Sequence, residues 1–527
     1  MRKLHDLLGL RTNPTIFFVS AAILAAFVTT TIMLPQPVER AFKAASNWIL
    51  TNLGWFYIFG VTTFLLFLLW MALSHFGSVR LGDDDEQPRY STPVWFAMLF
   101  AAGIGTILMF WGVAEPISHF ANPPMRDVEP QTADAAREAL TFTMYHFALH
   151  TWTIFTLPAL AFAYFGFKRK LPLRVSSIFH PMLGDRINGP IGRSIDILAV
   201  VGTIFGVSVS IGLGTLQVNS GLSRLIGIPE NIFTQLLILG VITTIAVISV
   251  SLGLDKGIKW LSNINISMAI LLLIFVIVVG PTLFLLRGTI EATGTYLSSL
   301  VELAFWTDTF GDTGWQGGWT VFYWAWTITW APFVGIFIAR ISQGRTIRQF
   351  VLGVLMLPTS FSVLWFGVFG LASFDIEFNR GGGLVEEVVE QGDIPGALFA
   401  FLQNYPFATA MSLFAIIIVV IFFTTSMDSA SLVTDMLCTG EDETGPVRQR
   451  VFWAITTGVI AGTLLSVGGG SGLDALQQVI IVVGLPFFII AFLMMYNLWR
   501  ALRHDVTPPP ALRTRQWVSQ MHASPRE

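Results

Sequence analysis

Twelve apolar stretches of about 20 residues recur along the chain, at about 14–34, 52–76, 92–117, 139–166, 194–222, 231–253, 260–286, 318–341, 348–374, 406–435, 450–468 and 476–502. A helix of about 20 apolar residues is long enough to cross a hydrocarbon core about 30 Å thick. Lipid offers the backbone no hydrogen-bond partners, and a helix satisfies them within its own segment. The chain is therefore expected to be an all-α polytopic membrane protein with about 12 transmembrane helices. Composition agrees, since only 12% of its 527 residues are charged and 54% are hydrophobic, against about 25% charged in soluble domains. An ordinary water-soluble enzyme is excluded.

The 30 Lys and Arg against 33 Asp and Glu give a formal charge of −3. No basic stripe could neutralise a phosphate backbone, so nucleic acid is not expected as a partner. A single cysteine, Cys438, excludes an intrachain disulfide and a multi-thiolate metal site. The first apolar run follows Arg2, Lys3 and Arg11, but its length and the lack of a small-residue cleavage site mark it as a retained span.

An even number of spans puts both termini on one side. If that side is the cytoplasm, only Arg40, Lys43, Arg126, Arg137, Arg224, Arg287 and Arg380 lie outside, while clusters such as Lys168, Arg169, Lys170 and Arg174 lie inside. The positive-inside rule then makes this a multi-pass protein of the plasma membrane with both termini cytoplasmic. The acids of the external loops, among them Glu138, Glu387 and Asp393, are read as loop solubility rather than a cation-attracting vestibule. Before the eighth span, Leu297, Leu300, Val301, Ala304 and Phe305 share one helical face opposite Thr295, Ser298, Ser299 and Glu302. Such a helix lies in the interface or against a partner subunit. From His504 onward the chain has Pro508 to Pro510 and no apolar run, which predicts a short, mostly disordered tail.

Polar groups and clustered glycines inside a membrane helix pack, bind or move. The third span carries Gly103 and Gly105 within Ala101-Ala102-Gly103-Ile104-Gly105-Thr106-Ile107. Either these small residues serve close packing, or the helix opens and presents backbone carbonyls to a cation or substrate. The eighth span holds Trp319, Trp324, Trp326 and Trp330. Trp326 and Trp330 share a face, and indole faces suit a cation that cannot donate hydrogen bonds. The tenth span has Thr424, Thr425, Ser426, Asp428, Ser429 and Ser431, hard oxygen ligands for an alkali cation, although Ser and Thr also bond back to their own helix. His146 and His150 in the fourth span have metal-ligand spacing but no third ligand in the pattern. Phe147, Trp152 and Phe155 in that span either line a pocket or pack.

The strings Met109-Phe110-Trp111-Gly112-Val113-Ala114-Glu115-Pro116, Phe322-Tyr323-Trp324-Ala325-Trp326, Pro332-Phe333-Val334-Gly335 and Ala339-Arg340-Ile341-Ser342 resemble those of the betaine/choline/carnitine transporter (BCCT) family. The likeness covers about residues 10–505. It implies a LeuT-like fold, with two inverted five-helix repeats after two extra helices. The expected segments are a cytoplasmic N-terminal 1–13, two peripheral helices in 14–91, a first repeat in 92–286, an interfacial helix and loop in 287–317, a second repeat in 318–503 and a tail in 504–527. The resemblance further implies a homotrimer that uses residues 293–308.

Sodium-coupled members hold one ion at positions matching Ala101, Ile104, Phe422, Thr425 and Ser426. A second site matches Phe333, with hydroxyls from among Thr203, Ser208 and Ser210. The family's sodium-independent exchangers have lost the hydroxyl pattern, so the resemblance implies a sodium symporter that needs no cofactor beyond its coupling ions. The implied substrate site comprises Gly103, Gly105, Phe147, Trp152, Phe155, Trp324, Trp326, Thr327 and Trp330. Here the sequence departs from the family pattern. Thr327 replaces the last Trp of Trp-Ala-Trp-Trp, Phe147 and Phe155 replace a Trp and a Tyr, and Ile107 replaces a third glycine. A poorer aromatic cage with an added hydroxyl suits a small zwitterion, including ectoine or an amino acid with N–H donors. The rival readings are a sodium-independent exchanger of carnitine- or choline-like compounds and an intramembrane enzyme that pairs Ser429 with His146.

Overall fold

The computed structural model describes residues 5, 8–103, 105–125, 127–252, 255–311, 313–440, 445–467 and 472–506. Regular structure among them is helical throughout, and strand-like pairing is limited to a lone bridge between Arg80 and Thr346. Eleven helices are long and apolar enough to cross a membrane, and a bent pair in the third span supplies a twelfth. The chain is an all-α polytopic membrane protein, as its hydropathy predicts.

Helices α1 (Pro14–Met33) and α2 (Pro35–Leu73) lead. The third span is α3 (Thr92–Gly103) with α4 (Thr106–Ala121), and the fourth is α5 (Ala133–Phe147) with α6 (Leu149–Ala163). Then come α7 (Pro190–Ile226), α8 (Ile232–Ser251), α9 (Asp255–Val279) and α10 (Thr282–Phe305). The remaining helices are α11 (Phe322–Ile341), α12 (Ile347–Asn379), the short α13 (Ala397–Gln403), α14 (Ala408–Thr439), α15 (Val447–Val467) and α16 (Gly472–Val506).

Local chemistry sets several ends. Asn13 accepts from the N–H groups of Thr15 and Ile16 to start α1, and Thr346 with Gln349 forms a reciprocal cap on α12, each satisfying otherwise orphaned donors. Hydropathy misses some extents. The second helix begins at Pro35 rather than near 52, because a helical turn bearing Glu39, Arg40 and Lys43 is not apolar yet costs the backbone nothing. The amphipathic segment before the eighth span is the second half of α10, and the last helix runs to Val506. Residues 507–527 of the expected tail and Ile104 of the expected ion site lie outside the described residues.

Burial divides the helices into a centre and a rim. The most apolar stretch of the fourth span is 94% buried and that of α7 83%, whereas those of α1, α8 and α9 are each 28% buried. In the centre α11 packs on α6, α7 and α16, and α7 packs in turn on α14 and α15. A span surrounded by protein can carry polar groups that lipid would penalise, so the buried helices are where function is to be sought.

Charged loops tie the helix ends together. Arg345 donates to Thr92 Oγ1 at 2.9 Å and the Tyr90 carbonyl at 2.8 Å, and it lies over the Trp95 ring. Lys170 pairs with Asp83 at 3.1 Å, and Lys168 pairs with Asp84, holding that carboxyl below the usual carboxylate range. At the opposite helix ends, Glu387 and Asp393 both pair with Arg224, and Glu138 accepts from the Met125 N–H at 2.8 Å. These acids are fixed in the structure rather than gathered into an open vestibule.

Candidate functional site

The third span breaks where its glycines predict. Helix α3 ends at Gly103, α4 starts at Thr106, and the axes of the two halves differ by 57°. Gly105 is extended, with φ −136° and ψ 171°, so the last carbonyls of α3 have no helical partner. A methyl group on Gly105 would meet no described atom within 4 Å. Close packing therefore does not account for Gly105, and exposed backbone does. Ala101 sits half-buried in the final turn of α3.

The tenth span, α14, reaches α4 and packs along α7. Phe422 and Thr425 are buried there and Ser426 is half-buried. The Thr425 hydroxyl donates within its own helix, to Ile421 O at 2.9 Å or Phe422 O at 3.0 Å, which leaves its oxygen free to accept or to ligate. Ser431 likewise bonds back, to Met427 O at 2.6 Å, while Asp428 accepts from Ser249 of α8 at 2.6 Å. The hydroxyl run thus serves both its own helix and its neighbours.

The eighth span is not interrupted as the third is. A single wide turn at Gly317–Val321 leads into the continuous α11, which carries Pro332 in its interior. Trp326 Nε1 donates to Ser210 Oγ at 2.9 Å, and its ring stacks on Phe322. One turn on, a methyl group at Gly206 would lie 2.3 Å from Thr329 Oγ1 and 3.1 Å from Trp330 Cδ1, so this glycine is required for close approach of α7 to α11. The two contacts step in opposite directions along the two helices, which makes them antiparallel. The Thr203 hydroxyl is buried with no hydrogen-bond partner among the described residues, whereas Ser208 donates to Thr457 O at 2.9 Å. As with Thr425, donation leaves the Ser208 oxygen able to accept, whereas Ser210 both donates to Gly206 O at 3.2 Å and accepts from Trp326, the most fully engaged of the three hydroxyls.

Around this face, Trp330 contacts Phe333, with its Nε1 buried and unpartnered among the described residues. The Thr327 hydroxyl donates to Tyr323 O at 2.7 Å, so toward a ligand it offers an acceptor only. Trp152 and Phe155 pack together on α6, which lies along α11. Phe147 stacks on Phe366 and touches Tyr323, one turn nearer the start of α11. Trp324 points elsewhere and stacks on His150 with rings 5.6 Å apart.

One cluster was not assembled by sequence spacing. Ala148 leaves the helical region, with φ −101° and ψ −122°, so His146 and His150 part company. His146 Nδ1 meets Glu115 Oε1 at 2.6 Å and its Nε2 meets Thr320 Oγ1 at 2.8 Å, while His119 Nε2 lies 3.2 Å from the same Glu115 oxygen. All three residues are essentially inaccessible to solvent. The signal available in the sequence was the i, i+4 spacing of Glu115 and His119 in the motif-bearing third span. Since His146 is engaged by Glu115 and Thr320, it is not the base that a Ser429 nucleophile would need.

A family model described as BCCT, betaine/carnitine/choline family transporter, matches residues 15–507. The chain is 50% identical over 510 residues to an ectoine/glycine betaine/proline transporter of Corynebacterium glutamicum, covering 97% of this chain and 83% of that protein. It is 42% identical to a glycine betaine transporter of Acinetobacter baylyi (98% and 77% covered) and 40% identical to a glycine betaine transporter of Bacillus subtilis (93% and 94% covered).

Proposed function

The chain belongs to the betaine/carnitine/choline transporter family and is a transporter rather than an enzyme, and on that premise we propose that it is a sodium-coupled symporter of small zwitterionic compatible solutes. The observation that carries the substrate reading is the Trp326–Trp330 face. It combines indole rings for a cationic nitrogen, a buried Trp330 N–H without an acceptor, and a Thr327 oxygen that can only accept. A buried unpaired donor costs about 1–3 kcal/mol, and a substrate carboxylate would satisfy it. The Thr327 oxygen suits a substrate N–H, which glycine betaine lacks and ectoine and proline possess. The relatives named for glycine betaine, ectoine and proline support the same class.

Sodium coupling rests on the open backbone at Gly105, on Thr425 and Ser426 in α14, and on the buried Thr203 hydroxyl of α7 that has no partner among the described residues. An inward sodium ion contributes about 2.3 kcal/mol per 100 mV, enough for roughly 40-fold accumulation of a neutral solute. In this reading both termini are cytoplasmic, the repeats are inverted as in LeuT, and the third and eighth spans rock around the substrate. A homotrimer would use α10, where Ile290, Leu297, Val301 and Phe305 are all more than half exposed.

Uptake of radiolabelled glycine betaine, ectoine, proline, choline and carnitine into proteoliposomes tests the assignment. Accumulation of the first three with an inward sodium gradient, and not with potassium substituted, is the expected result. Uptake of carnitine or choline alone, indifferent to sodium, would replace it with the exchanger.

A further inference from the structure

The Glu115, His119 and His146 side chains satisfy one another incompletely. Glu115 Oε1 faces both imidazoles and the Tyr323 hydroxyl also reaches the carboxylate, but His119 Nδ1 is buried with no hydrogen-bond partner among the described residues. One ligand atom from each of the three residues can be chosen so that all lie within 4.8 Å of one another. A tetrahedral ion with bonds of about 2.0–2.1 Å separates its ligand atoms by about 3.3 Å, so the 3.2 Å pair already has that spacing while the 2.6 Å pair has to open to about 3.3 Å when an ion enters. Glu115 and His119 sit at i, i+4 on α4, and His146 comes from α5.

We propose that Glu115, His119 and His146 form a binding site for a divalent transition-metal ion, a site separate from the substrate and sodium positions. Two imidazoles and a carboxylate are the ligand set that zinc and its neighbours favour, with the fourth position left to water. Thr320 does what an outer partner of a metal-bound histidine does: it holds His146 Nε2 at 2.8 Å and so aims Nδ1 at the site. Its hydroxyl donates to Nε2 when Nδ1 carries the proton, and accepts from Nε2–H when Nδ1 ligates. His119 makes the matching change by moving its proton to the unpartnered Nδ1. Neither imidazole therefore has to become charged or lose a proton to water. The half-buried Trp315 and Trp319 rings stack on each other and cover the histidines, Trp315 against both and Trp319 against His119.

A bound ion would fasten α4 to α5 and, through Thr320, to the start of the eighth span. If those elements move against one another during transport, zinc inhibits uptake; that consequence rests on the transport reading, whereas binding itself does not.

The test is equilibrium dialysis of the purified full-length protein against zinc chloride, with size-exclusion profiles confirming that each variant is folded. One zinc per chain is expected. His119→Gln and His146→Gln should each weaken binding by more than about 100-fold, and Thr320→Val by about 10-fold. His119→Cys, which keeps a ligand, should retain one ion per chain and shift preference toward cadmium. If the glutamine variants do not fold, the Thr320 and cysteine variants decide. The proposal is overturned if the unmodified protein binds no stoichiometric zinc, or if folded variants bind it unchanged, which would assign the ion to exposed histidines such as His75 and His504.

Discussion

The third and eighth spans each open one of the two repeats that the family resemblance implies, yet of these two only the third is broken. No described atom lies within 4 Å of where a methyl group on Gly105 would sit, and its backbone leaves the helix. In the eighth, Pro332 removes an internal donor, but the helix's own tryptophans anchor it to its neighbours: Trp326 donates to Ser210 of α7, and Trp324 stacks on His150 of α6. Prolines in membrane helices are tolerated where neighbours absorb the freed groups. The difference separates two tasks. In the proposed function the third span offers backbone oxygen, which suits an ion, and the eighth offers ring faces and directed polar atoms, which suit a zwitterion.

Removing the side-chain half of the ion site should have the largest effect. Thr425→Ala with Ser426→Ala is expected to raise the sodium concentration for half-maximal uptake by about 100-fold, at about 1.4 kcal/mol per lost ligand, with expression intact. Unchanged sodium dependence would break the division of tasks. Next, Trp326→Ala should weaken apparent substrate affinity about 30-fold, the value of a desolvated cation–π contact of about 2 kcal/mol, while sodium dependence stays put. If affinity is unaffected, the cage lies on another face.

The two glycines offer a third contrast. Gly206→Ala should destabilise the protein by about 1–3 kcal/mol through overpacking against Thr329 and Trp330, lowering its melting temperature. Gly105→Ala meets no such obstacle and should melt normally while impairing uptake; equal loss of stability in both would mean that Gly105 packs after all. The smallest effect is expected from Thr327→Val. It should weaken ectoine and proline about 5-fold, about 1 kcal/mol for one hydrogen bond, and leave glycine betaine unchanged. Equal weakening of all three would show that the Thr327 oxygen does not read substrate N–H groups.

Much of this was legible in the sequence, because hydropathy records what lipid requires. Twelve spans, the break at Gly103 and Gly105, and the paired Trp326 and Trp330 follow from that requirement. What escaped it depends on packing between distant helices. Ala148 carries no signature of a break, yet by leaving the helix there the chain sends His146 to Glu115 and His150 to Trp324. The first turns of α2 stay helical although Glu39, Arg40 and Lys43 lower their hydropathy. The engagement of Ser210 by Trp326 depends on how α7 and α11 register, with Gly206 and Ser210 meeting side chains more than a hundred residues away.

The central claim is that solute and sodium move together through one site. It is tested most directly by giving proteoliposomes an inward glycine betaine gradient with equal sodium on both sides and following radiolabelled sodium. Sodium entry that tracks betaine entry, and that disappears in the Thr425→Ala, Ser426→Ala double variant, is the predicted result. Betaine entry with no movement of sodium would contradict it.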